Sequence, residues 1–201
     1  MDYRYYRNEA LDNIARNAIK SYDASLLSEP SAIPIEDIME KVYGLVIIYQ
    51  RIRKTGLVLA ETAFDDTFIA VYDDEKKKYI WLPVERGTVV VDASLLDTRG
   101  DGRLRFTLAH ELAHWIIHKY IYEGTCQTAA KTESALISSE SDGAVEWQAD
   151  KLGSLLLMPA GQVKMAFNRN RSALDSAAVL AKIFDVSKQA MSIRLKELHL
   201  S

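Results

Sequence analysis

The order of apolar and polar positions divides the chain into three stretches. From Asn8 to Tyr22, apolar residues fall at Ala10, Leu11, Ile14, Ala18 and Ile19. That is the spacing of an amphipathic helix. The segment ending at Pro34 reads as a loop, and a second short helix is predicted to open at Pro34 and stop before Gly44. Pro suits the first helical turn, and Gly suits the position just past the last one. From Leu45 the period changes. The runs LVIIYQ, GLVLAETA, TFIAVYD, KKYIWLP and TVVVD are short, β-branched and aromatic, with polar or turn residues between them. They predict four or five strands of a small sheet. Their connections are too short for crossover helices, so the sheet is expected to be mostly antiparallel, with a hairpin turn at Asp73-Asp74. After Asp92 the pattern is helical to the end. A long helix is predicted over GRLRFTLAHELAHWIIHKY, another over Ala144 to Met158 stopped by Pro159, and a short one over Gly161 to Asn168. Two more are predicted between Ser172 and Leu198, with a break at Asp185-Val186-Ser187. The Ser/Thr/Glu-rich stretch from Glu123 to Asp142 reads as a loop in which TESALIS is a candidate short helix.

Composition narrows the class. At 201 residues, 48% of them apolar, the chain can bury a core without staples. A net charge of −3 argues against a polyanion binder as a whole. The single cysteine, Cys126, cannot form an internal disulfide and fits a reducing compartment. The N-terminal stretch MDYRYYRNEALDN lacks the apolar core of a secretory signal, and no run approaches the ~18 apolar residues of a membrane span. The expected location is the cytoplasm, with no membrane association.

The chemistry concentrates in the histidines. Three of the four, His110, His114 and His118, lie on one predicted helix, and His110-Glu111-Leu112-Ala113-His114 matches H-E-x-x-H. Residues four apart lie about 40° apart around a helix, so both imidazoles project from one face. Two such nitrogens can grip one Zn²⁺, with Glu111 beside the metal as general base. The metzincin extension is absent, because Ile117 and Tyr120 stand where it needs Gly and His. A zinc hydrolase needs a third protein ligand. Downstream, Glu146 and Asp150 stand out: they are four apart, at the edge of a helix whose stripe is Val145, Ala149, Leu152 and Leu156. Glu146 is the candidate third ligand, and Asp150 the candidate acceptor for the outer nitrogen of a ligand histidine. The competing reading is an ordinary exposed acidic face. His118, about 80° round from His110, is open to three roles: touching the site, orienting a ligand or stabilising an oxyanion. The other reading is a buried structural histidine. Tyr120 and Tyr122 are candidate donors to a tetrahedral intermediate if the following loop folds back. His199 and Cys126 carry no motif.

The tail forms a second unit in this reading, with a boundary that places one domain at 1–165 and a helix-turn-helix-like segment at 166–201. Residues 162–201 hold seven Lys/Arg and three acids, a net +4. Ser187 is the predicted N-cap of the second helix, with Lys188, Gln189, Ser192, Arg194 and Lys196 facing outward. Such a helix could enter a major groove. Packing against the first domain is favoured, because +4 is modest for DNA binding.

The run RFTLAHELAHWIIH (105–118), followed by EWQADKLGSLLLMP (146–159), resembles the ImmA/IrrE family of bacterial metallopeptidases. The likeness extends over roughly residues 8–165. It implies an α+β, zincin-like fold with the ligand set His110, His114 and Glu146, Glu111 as general base and Asp150 behind the ligands, as in gluzincins. The 31 residues between His114 and Glu146 form a longer gap than compact members have, which leaves the path of the Ser/Thr/Glu-rich loop over the cleft open. The resemblance also implies a protein substrate, a helix-turn-helix repressor whose cleavage derepresses genes. Two alternatives stand beside it: a regulator or partner-binding protein whose zinc site is structural or vestigial, and a non-proteolytic zinc hydrolase.

Overall fold

The computed structural model describes residues 4–52, 58–98, 102–124 and 140–200. Helix α1 (Asn8–Asp23) buries Leu11, Ala15, Ala18 and Ile19, and α2 (Ile35–Lys41) buries Ile35, Ile38 and Met39. Five strands follow among the described residues: β1 (Val46–Gln50), β2 (Ala60–Thr62), β3 (Thr67–Asp73), β4 (Lys78–Val84) and β5 (Thr88–Asp92). They form two sheets where the sequence reading expected one. The first has the order β1-β5-β2, and β3 and β4 form a separate antiparallel hairpin. β2 pairs with β5 antiparallel, but β1 pairs with β5 parallel. A parallel pair needs a long connection, and the excursion through β2 and the hairpin supplies it without a crossover helix. β5, Thr-Val-Val-Val-Asp, is buried along its whole length, as an apolar run between two partners should be. The hairpin turn falls at Asp73-Asp74 as expected. The Asp73 carboxylate accepts from the backbone N–H groups of Glu75 and Lys76.

The long histidine helix is α3 (Arg103–Ala113), and it does not continue as a regular α-helix. His114–His118 forms a π-turn, and α4 (Lys119–Tyr122) completes the element. Helix α5 (Glu140–Leu157) crosses α3, followed by α6 (Ala160–Arg169), α7 (Ser176–Phe184) and α8 (Lys188–Glu197). Most of the Glu123–Asp142 loop, with TESALIS and Cys126, lies outside the described residues.

One apolar cluster joins α1, α2, β5, α3, α5 and the tail: Leu180, Phe184, Met191 and Leu195 are buried in the same core as Leu11, Leu108 and Leu152. Asp175 caps α7 and Ser187 caps α8, each accepting from the backbone N–H three residues on. Two further contacts lock the tail to α3. Arg105 donates to the carbonyls of Asp185 and Ile33. Gly102, which begins α3 at φ +74°, lies so close to the tail turn that an added Cβ would stand 2.6 Å from the Ser187 nitrogen. Only glycine tolerates both the backbone angle and that approach. Arg194 corrects the outward assignment made from sequence. It is buried, donates to the Met158 carbonyl and pairs with Glu197. The amphipathic phase of α8 turns it inward beside Met191 and Leu195 and leaves Lys188, Gln189, Ile193 and Lys196 exposed.

Candidate metal centre

The predicted ligands converge. His110 Nε2 lies 3.0 Å from His114 Nε2. Glu146 Oε2 is 3.2 Å from the first and Glu146 Oε1 is 3.4 Å from the second. Two elements place them. The H-E-x-x-H spacing stacks the two imidazoles on one face of α3, and α5 brings Glu146 across. The close crossing depends on Gly153, since a Cβ there would stand 3.3 Å from the backbone of Ala109 and His110. An isolated Gly inside a helical pattern is a readable signal of close approach.

Asp150, one turn below Glu146, stands where sequence placed it. The His110 Nδ1–H donates to Asp150 Oδ1 at 2.9 Å. That leaves the Nε2 of His110 to face the other two ligands. His114 and His118 are buried, while the Glu146 carboxylate reaches in from an exposed edge. Two imidazole nitrogens and a carboxylate oxygen within 3.0–3.4 Å of one another can share either a proton or a metal cation. Two nitrogens, one oxygen and a carboxylate behind one histidine are the donor set of a transition-metal site with an open position. These residues therefore fit the metal that the motif implies.

Without a metal, a proton takes that place. Burial opposes charge on His110, but the hydrogen bonds to Asp150 and Glu146 prevail and its pKa is pushed up to about 10. Burial works against Glu146 as a charged group too, yet its bonds to His110 and His114 hold its carboxyl well below the usual carboxylate range. The sign of the consequence follows. At pH 8 an ordinary histidine is already neutral, but His110 still holds its proton. Metal uptake by the metal-free protein at pH 8 will therefore release the His110 proton in addition to that of a metal-bound water, about two protons per chain. Calorimetric titration in buffers of differing ionisation enthalpy measures this number directly, and a value of about one or less would contradict the assignment.

Glu111 projects to the side, and the Thr62 hydroxyl donates to its Oε2 at 2.5 Å. No sequence signal links residues 49 apart, and Thr62 was not foreseen. It ends β2, the edge strand beside α3. Leu59 and Ala63 bond to β5 through their backbones, so by alternation the N–H and C=O groups of Ala60 and Thr62 point away from it.

His118 lies beneath His114, their Nδ1 atoms 3.1 Å apart. A π-turn rotates less per residue than an α-turn, which brings His118 back from the angle expected on a regular helix. Burial, then the neighbouring His114, push His118 down to about 3. Of the two tyrosines, Tyr120 accepts from the Arg4 backbone through its hydroxyl. Tyr122 stacks on Phe64 with centroids 4.8 Å apart and meets His114 edge-on at 6.1 Å. Tyr122 and Phe64 thus form an aromatic wall beside the candidate ligands. His199 is exposed near the chain end.

Among the described residues, no helix is long and apolar enough to cross a membrane. In comparisons with known proteins, no curated protein matches this chain. The fold is similar to that of a Mycobacterium tuberculosis transcriptional regulator, with a TM-score of 0.53 at 18% identity, over 95% of this chain and 47% of that one. The chain thus spans about half the length of that regulator, and the likeness is one of fold. The family model described as the IrrE N-terminal-like domain, a peptidase family, matches residues 72–196, which include α3, the π-turn and α5. With His110, His114 and Glu146 gathered inside that span and the match covering most of the sequence, this chain belongs to the IrrE N-terminal-like family of peptidases.

Proposed function

We propose that the chain is a zinc-dependent endopeptidase of the cytoplasm that cuts a helix-turn-helix repressor at one site and so derepresses genes. The observation that carries the reading is the convergence of His110, His114 and Glu146, with Glu111 beside them and clear of the ligand cluster. Zinc held by those three residues would polarise a carbonyl and lower the pKa of a water. The protein's own groups do the rest. Asp150 fixes the His110 ring. The Thr62 hydroxyl holds the Glu111 carboxylate at its Oε2, which leaves Oε1 to take a proton from the attacking water and deliver it to the departing amine. A substrate strand pairs with the outward backbone groups of Ala60 and Thr62 by β-augmentation, which sets the scissile peptide beside Glu111.

The direct test combines the purified chain with helix-turn-helix repressors, beginning with any encoded beside its own gene. One defined cut is expected, lost with a chelator and regained with zinc. Repressors that stay intact beside a zinc-loaded chain would sink the proposal.

A second reading has its own observation. α8 exposes Lys188, Gln189, Ile193 and Lys196 on a helix-turn-helix-like tail, and the similar solved structure is that of a transcriptional regulator. In that reading the chain regulates by binding a repressor or DNA, without cutting a peptide bond.

A further inference from the structure

We propose that His118 is a positioning residue: a neutral acceptor that keeps the proton of His114 on Nδ1 and turns the Nε2 lone pair of His114 toward His110 and Glu146. This rests on the metallopeptidase reading above, which needs His114 to bind through Nε2. A neutral imidazole carries one proton. If Nε2 of His114 is to offer a lone pair, that proton sits on Nδ1 and needs an acceptor. The group facing it is Nδ1 of His118, at 3.1 Å. His118 must then be neutral, because an imidazolium has no lone pair to give, and its own proton lies on Nε2. The side chain is fully buried, which disfavours an imidazolium; the Nε2–H that this state requires has no partner among the described residues and is a cost of the arrangement.

The two ligand histidines therefore have unlike supports. His110 is backed by a carboxylate and His114 by an imidazole. Charge explains the difference. Glu146, Asp150 and Glu111 already surround the position of one divalent cation. A fourth carboxylate would have to be buried at considerable cost, whereas a neutral imidazole orients the ring without adding charge. The π-turn over His114–His118 is the local device, since it turns the lower ring back under the upper one. Such turns concentrate at functional sites.

The test uses the full chain as wild type, His118→Leu and His118→Asn. In the metal-free protein, ¹⁵N spectra of the imidazoles report which nitrogen of His114 is protonated. Competition with a chromophoric chelator reports zinc affinity. The wild type is expected to show His114 protonated at Nδ1. His118→Leu should lose that single tautomer and bind zinc about 10–100-fold more weakly, the usual cost of losing an outer-shell partner. His118→Asn, whose amide oxygen can accept, should recover most of both. His114 protonated at Nε2 in the wild type would overturn the proposal, and so would a folded His118→Leu protein with unchanged tautomer and affinity. If the wild type took up no zinc at all, the metallopeptidase reading would fall, while the metal-free spectra would still decide the role of His118.

Discussion

Glu111→Gln is expected to take up zinc as the wild type does and to cut the repressor about 10²–10⁴-fold more slowly, the range lost when a general base is removed. The substitution isolates one property. Gln keeps the length of Glu, and its amide oxygen can still accept the Thr62 hydroxyl that now holds Glu111. The candidate ligands on either side, His110, His114 and Glu146, are unchanged. What disappears is the ability to take a proton. Zinc content with single-turnover cleavage of the repressor measures both halves. Undiminished cleavage would remove Glu111 from the chemistry. If the regulatory effect in cells outlived the loss of cleavage, the binding-only reading would replace the peptidase.

Glu146→Ala is the second large effect. The zinc affinity of the variant should fall by more than about 100-fold, the upper end of what an outer-shell loss costs, because a direct ligand is gone. Glu146 is also the one carboxylate among the three candidate ligands. Without it, two imidazoles 3.0 Å apart face a cation alone. The fold should survive, since the carboxylate comes from an exposed edge of α5 and fills no core position, but the metal-free variant loses the ion pair with His110 and should melt somewhat lower. Metal analysis after zinc loading, beside a thermal melt, separates the two quantities. A full equivalent of tightly held zinc in the variant would mean that the third ligand lies elsewhere.

These predictions also show where the sequence was readable. The H-E-x-x-H spacing is a local regularity, and local regularities survive folding. A helix places i and i+4 on one face whatever surrounds it. The Glu146-Asp150 pair was legible for the same reason, with the buried stripe of Val145, Ala149 and Leu152 marking which side of α5 turns inward. The Asp73 turn and the cap at Ser187 belong to the same class. The tail was harder. Its charges are evident in the sequence, but charge alone does not reveal that Arg194 faces the Met158 carbonyl.

By itself, then, the amino-acid sequence determined the two helices of the site, the order of the ligands along them and the choice of acids that can join two histidines. It could do so because helical periodicity acts within a few residues. Tertiary structure alone decided three things. β1 joined β5 in parallel, because strand pairing depends on what the intervening chain does. Thr62 came to hold Glu111, because β2 packs against α3 at a distance that no spacing rule spans. His118 came to lie beneath His114, because one turn of the helix widened under the packing around it and changed which side chains share a face.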